Sequence, residues 1–239
     1  MIRSPDHAQR GSTWNPLAVF GLALVVFVAA FLATWALPES VTTRYPWTQQ
    51  AVTQGLMVAV AFGAMVASRR PLAEFGFRRP APAKGHFKLW GLALGAVCTG
   101  VMLAFGLQGP GEDLAASGLL WFVLLTWAVA PLVEEIFCRA WFQTLAGADT
   151  PTAVLWSAAL FGAMHLVLLF GDMKIAAVMV IVLSVTALGY VCAMARARTG
   201  SLRPAIFAHL LFNVGGVLAG VIYTIAYRIA TGQLPQPIE

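Results

Sequence analysis

Two carboxylates and a guanidinium fall within one apolar stretch, Pro131-Leu-Val-Glu134-Glu135-Ile-Phe-Cys-Arg139, in a chain whose hydrophobic runs otherwise carry almost no charge. An ionised side chain at the centre of a bilayer costs about 2.5 to 3.5 kcal/mol on insertion scales, so three together need partners or a task. Helical spacing divides the work among them. Residues four apart share a face, and Glu135 and Arg139 are therefore expected to neutralise each other in a bidentate pair. Glu134, turned about 100° away, has no local counter-charge and is the candidate base for activating a water. The competing reading is an ion pair that merely locks helices together, for which the second carboxylate is superfluous.

Two histidines complete the ionisable set inside apolar runs: His165 in Phe161-Gly-Ala-Met-His165, and His209 in His209-Leu-Leu-Phe-Asn213. Each has a residue one turn away on its own face, and the Asn213 amide can donate or orient a hydrogen bond. A lone histidine in an apolar helix is more often an interhelical hydrogen-bonder than a ligand, but a carboxylate and two histidines on three segments suggest more. They can hold a divalent metal such as Zn2+ through Glu134, His165 and His209 with one position open for water. They can equally surround a metal-free water and stabilise an oxyanion. Both arrangements lead to hydrolysis. Cys98, Cys138 and Cys192 offer neither a disulfide framework nor zinc spacing, and Cys138 has no neighbouring base to make it a nucleophile.

The elements that must position these residues are membrane helices. Of 239 residues 59% are hydrophobic and 10% charged, and the mean hydropathy is +0.79, well outside the range of soluble domains. Runs of roughly 20 apolar residues, enough to cross about 30 Å of hydrocarbon, occur at about 17–37, 49–67, 89–107, 119–145, 152–170, 175–195 and 204–227. The expected fold is all-α: a polytopic bundle of seven spans enclosing a polar cavity, or eight if Gly215-Gly216 divides the last run. Residues 1–239 read as one integral membrane domain. The first run, preceded by Arg3 and Arg10, is too long for a cleaved signal peptide and reads as a signal anchor.

Positive charge orients the bundle. Arg69, Arg70, Arg78, Arg79, Lys84 and Lys88 crowd one loop, and Arg196, Arg198 and Arg203 another, whereas Glu112, Asp113 and an Asp172–Lys174 pair mark opposite loops. Seven spans then put both basic loops and the amino terminus in the cytoplasm. The net charge of +5 follows from this topology and implies no nucleic-acid partner; the Arg78-Arg79-Pro-x-Pro82 segment can also meet anionic lipid. Counting along the spans puts His209 nearer the cytoplasmic surface than His165, a mismatch that tilt or a kink at Pro204 would close.

Glu-Glu-x-x-x-Arg at 134–139, Phe-x-x-x-His at 161–165 and His-x-x-x-Asn at 209–213, in that order on successive spans, resemble the CAAX protease and bacteriocin-processing (CPBP) family of intramembrane endopeptidases. The Arg-Thr-Gly-Ser-Leu-Arg-Pro turn at 198–204 is also similar to the family's approach to its last motif, and the resemblance covers about residues 119–218. It implies that Glu134 activates the attacking water, that Glu135 and Arg139 shape the site, that His165 assists, and that His209 with Asn213 stabilises the oxyanion. The chain departs from many members at Cys138 and Ala140, where they have Phe and Gly, which bears on substrate fit more than on proton handling.

The implied activity is an endopeptidase, glutamate-dependent or metallo, acting in the lipid bilayer on a membrane-anchored or hydrophobic protein or peptide. The Ala- and Arg-rich composition suggests a bacterial inner membrane. A non-proteolytic scaffold or immunity-type protein that keeps the polar cluster for packing is the alternative. An ion pathway is a weaker one, because no second copy of the Glu-Glu segment occurs in the chain.

Overall fold

A computed structural model describes residues 15–45, 47–83, 85–107, 124–171 and 173–232. Eight helices make up its architecture, with no strand among the described residues. They are α1 (Pro16–Ala33), α2 (Glu39–Arg44), α3 (Thr48–Ala67), α4 (Phe87–Ala104), α5 (residues 124–145), α6 (Pro151–Met164), α7 (Ile175–Thr199) and α8 (Arg203–Thr231). Short 3₁₀ turns follow α1 at Thr34–Ala36 and α6 at His165–Phe170. Six helices, α1, α3, α4, α6 with its turn, α7 and α8, are long and apolar enough to cross a membrane. The helix carrying the charged cluster, α5, falls within the fourth of the expected runs, 119–145. The last run is the unbroken helix α8, so Gly215-Gly216 does not divide it. Of the charges used above to orient the chain, Arg3, Arg10, Lys84, Glu112, Asp113 and Asp172 lie outside the described residues, as does the start of the 119–145 run.

Local chemistry sets the helix ends. Pro151 opens α6 where its missing N–H is not needed, and the Thr150 hydroxyl accepts from Ala153 N–H at 3.2 Å. Asn15 caps α1 in the same way before Pro16. Pro204 likewise lies in the first turn of α8, so it starts that helix and does not kink it. The outward faces stay apolar: Val25, Leu183, Ile222 and Ile229 are all exposed. With no water to satisfy, such faces belong in lipid, and the chain is an integral membrane protein.

At the centre is the second half of α5, where all seven residues of Ile136–Phe142 are buried. Two stretches of it, Leu124–Val129 and Ile136–Phe142, are wound as π-helix, a form that collects at functional sites. The wide turn is satisfied locally. Cys138 C=O accepts both from Gln143 N–H and from the Ser157 hydroxyl of α6 at 3.0 Å. Cys138 and Ala140, the two departures from the family pattern, are fully buried here, and Cys138 packs its Sγ 3.6 Å from Met164 Sδ. Cys138 therefore bears on the α5–α6 packing.

Close packing of α4 on α8 supports the site from the other side. Gly91 and Gly95, four apart on α4, bring the backbones together: a Cβ on them would strike the carbonyls of Ala208 and Phe212, and one on Gly215 would strike Leu92. Small residues at this spacing let membrane helices approach closely. Gly95→Val is accordingly expected to destabilise the protein by about 1–3 kcal/mol or more, measured as a lowered unfolding temperature in detergent. Gly21→Ala, with nothing within 4 Å of its added Cβ, should leave that temperature unchanged.

The basic loops meet at one end of the bundle, as the charge pattern requires. Arg196, expected in a loop, is instead inside the last turn of α7 and 2% exposed. It donates to Glu74 C=O at 2.7 Å and lies 3.7 Å from Asp149, tying the segments that follow α3 and α5 to the end of α7. Gly76 turns there with φ of 92°, and a Cβ on it would press against the Arg196 guanidinium. Arg78 Nε donates to Gly200 C=O at 2.6 Å, and the Ser201 hydroxyl returns a bond to Arg78 C=O.

Candidate active site

Glu134 and Glu135 end the α-helical part of α5, just before its second π-helical stretch. Glu135 is fully buried and lies 3.2 Å from Arg139 Nε, also fully buried. The expected ion pair therefore forms, but through this single contact and not as the bidentate bond, because the segment between the two residues is not regular α-helix. Arg139 spends a second donor on Gly189 C=O of α7 at 3.0 Å and sets its guanidinium over the Phe161 ring, 4.5 Å from the centroid. One side chain thus holds α5, α6 and α7 together.

His209 enters from the first third of α8, 6% exposed. Its Nδ1 is 3.1 Å from Glu135 Oε1 and its Nε2 is 3.8 Å from Glu134 Oε2. A carboxylate only accepts, so Nδ1 is the donor to Glu135. The two carboxylates are therefore not as separate as helix geometry implies: one imidazole spans both. Arg139 lies against Glu135, and His209 lies between Glu135 and Glu134. Glu135 is sealed, whereas the Glu134 side chain is 18% exposed, so Glu134 is the carboxylate that water can reach.

His165 sits where α6 tightens into its 3₁₀ turn, partly exposed. Its Nδ1 lies 2.8 Å from Phe161 C=O. Because a carbonyl only accepts, Nδ1 is the donor in this bond. The expected one-turn partnership is real, but it runs through the Phe161 backbone. The Phe161 ring, fully buried, packs edge-on against both His165 and His209, with centroids 5.0 and 5.3 Å away. It is the hub on which Arg139, His165 and His209 converge.

Asn213 lies one turn beyond His209 on α8 and borders a groove of about 290 Å³ between α4, α8 and the start of α5. Among the described residues no three His, Cys, Asp or Glu side chains converge to hold a metal ion, Glu134, His165 and His209 included. Gly189 was not singled out by sequence. It lets α7 approach α6, since a Cβ there would be 3.1 Å from Ala158 Cα, and so brings its carbonyl to Arg139. A lone glycine in an apolar helix was its only signal.

A helical membrane bundle with a buried ion pair, a reachable carboxylate and a bridging histidine has the parts of an intramembrane hydrolase. Residues 116–215 match the family model described as type II CAAX prenyl endopeptidase Rce1-like, in agreement with the CPBP resemblance of the three motifs. All six predicted site residues lie inside the match to this family of intramembrane CAAX protease-type proteins, and α1 to α4 lie outside it. Comparisons with curated proteins and with solved structures gave no match.

Proposed function

We propose that the protein is an endopeptidase that cleaves a peptide bond in a membrane-anchored or hydrophobic protein or peptide, with Glu134 as the base. A water beside Glu134 gives up a proton to that carboxylate as its oxygen attacks the substrate carbonyl carbon. The electron pair of the C=O bond moves onto oxygen, where His209 and Asn213 are the donors for the resulting oxyanion. Collapse breaks the C–N bond, and the proton held by Glu134 passes to the leaving amine. His165 assists from the far side of Phe161. The observation that carries this reading is His209 standing between one sealed and one reachable carboxylate.

The scaffold alternative draws on a specific observation too: the Glu135–Arg139–Gly189 chain of contacts is buried and joins α5 to α7. Activity separates the two readings. In proteoliposomes containing a single-span peptide substrate, His209→Ala is expected to lower cleavage by about 10²- to 10³-fold, the usual effect of losing one oxyanion donor. Cleavage within a few-fold of wild type would remove His209 from the mechanism. A one-to-one zinc content with chelator-sensitive cleavage would replace the glutamate-only scheme by a metal-dependent one. The charge pattern of the loops favours a cytoplasmic amino terminus, and the composition favours a bacterial inner membrane.

A further inference from the structure

The groove beside Asn213 is built differently from the rest of the α4–α8 seam. On α4 it takes in Gly95 and Thr99, on α8 Asn213, Gly216 and Val217, and Trp127 of α5 closes it. Gly215 and Gly216 are adjacent but do different things. A Cβ on Gly215 would strike backbone, so that glycine serves packing; one on Gly216 would come within 2.9 Å of the Thr99 hydroxyl and 3.8 Å of Gly95 C=O, so a side chain there would press on Thr99 and take up space in the groove. Four residues of α8 carry the groove from Asn213 to Val217, away from the basic-loop end of the bundle where α8 begins.

Resting on the peptidase reading, we infer that this groove is a subsite for one apolar side chain of the substrate, in the unwound stretch next to the cleaved bond, with Trp127 and Gly216 setting its size. At about 290 Å³ it lies at the lower limit of ligand pockets, about 300 Å³, which suits a side chain and not a folded segment. Trp127, Phe212, Val217 and two glycines line it, a mostly apolar surface that suits an apolar side chain. Thr99 and Asn213 supply the polar groups that an unwound backbone needs inside a membrane. Asn213 joins the groove to the catalytic set, so a chain lying in it reaches His209 within one turn of α8.

The test uses a proteoliposome panel of single-span peptides, each a leucine-alanine helix followed by a helix-breaking stretch in which one position is Ala, Leu or Phe. Trp127→Ala should raise the Phe-to-Ala ratio of cleavage rates about tenfold, and Gly216→Val should lower it about tenfold, the scale on which apolar pockets discriminate size. Independently of turnover, a photo-crosslinking residue at position 217 in the Glu134→Gln protein should capture the panel peptides. The same residue at position 183, on the lipid-facing side of α7, should not. Ratios unmoved in both variants, or equal capture at 217 and 183, would overturn the subsite while leaving the peptidase reading intact. Capture at 217 by a wild-type protein that cleaves no peptide would overturn the peptidase reading and keep the groove as a peptide site.

Discussion

Glu134→Gln abolishes cleavage, by at least the 10²- to 10⁴-fold expected when a positioned general base is lost, and leaves a folded, inserted protein. The substitution keeps shape and removes only the ability to take the water's proton. Its structural cost is small because Glu134 is partly exposed and its nearest charged partner, His209 Nε2, is 3.8 Å away, beyond hydrogen-bonding distance. The unfolding temperature in detergent and the rate of peptide cleavage are the paired measurements. A scaffold would show the opposite pattern, with biological function preserved in the Gln variant.

Arg139→Ala is the larger structural injury. It strands Glu135 without its guanidinium partner, leaves Gly189 C=O without its donor and empties the space above Phe161. Breaking one side of a buried ion pair costs about 3–5 kcal/mol, because the remaining charge is uncompensated. Expression and thermal stability should fall together. Adding Glu135→Gln to Arg139→Met should recover much of the stability, since an apolar or neutral replacement of both partners avoids the stranded charge. Activity should not return, because His209 then has lost the carboxylate that holds its Nδ1. Full stability in the Arg139→Ala protein would mean that the network does not hold the bundle together.

The spans were legible because length and apolarity alone define them: the expected run at 49–67 is α3 at Thr48–Ala67, and that at 152–170 is α6 with its turn. Arg196 was misplaced for a physical reason. A charge near the end of an apolar run ends it by composition, yet here the guanidinium turns inward to Glu74 C=O and Asp149 and the helix continues to Thr199. The Glu135–Arg139 pair was legible from spacing. The bridge from His209 to both carboxylates was not, because it depends on how α8 sits against α5. The π-helical turn in α5, the carbonyl that Gly189 brings to Arg139 and the glycine contacts of α4 with α8 are likewise set by packing between helices, which the sequence of any one of them does not contain.

Cleavage of a single-span peptide in ¹⁸O-labelled water, with both fragments weighed by mass spectrometry for wild type and for Glu134→Gln, tests the water-activating role of Glu134 most directly. The mechanism predicts one ¹⁸O in the new carboxyl group made by wild type and no products from an equally stable Gln variant. Cleavage by the Gln variant at the wild-type rate, with the same label incorporated, would contradict it.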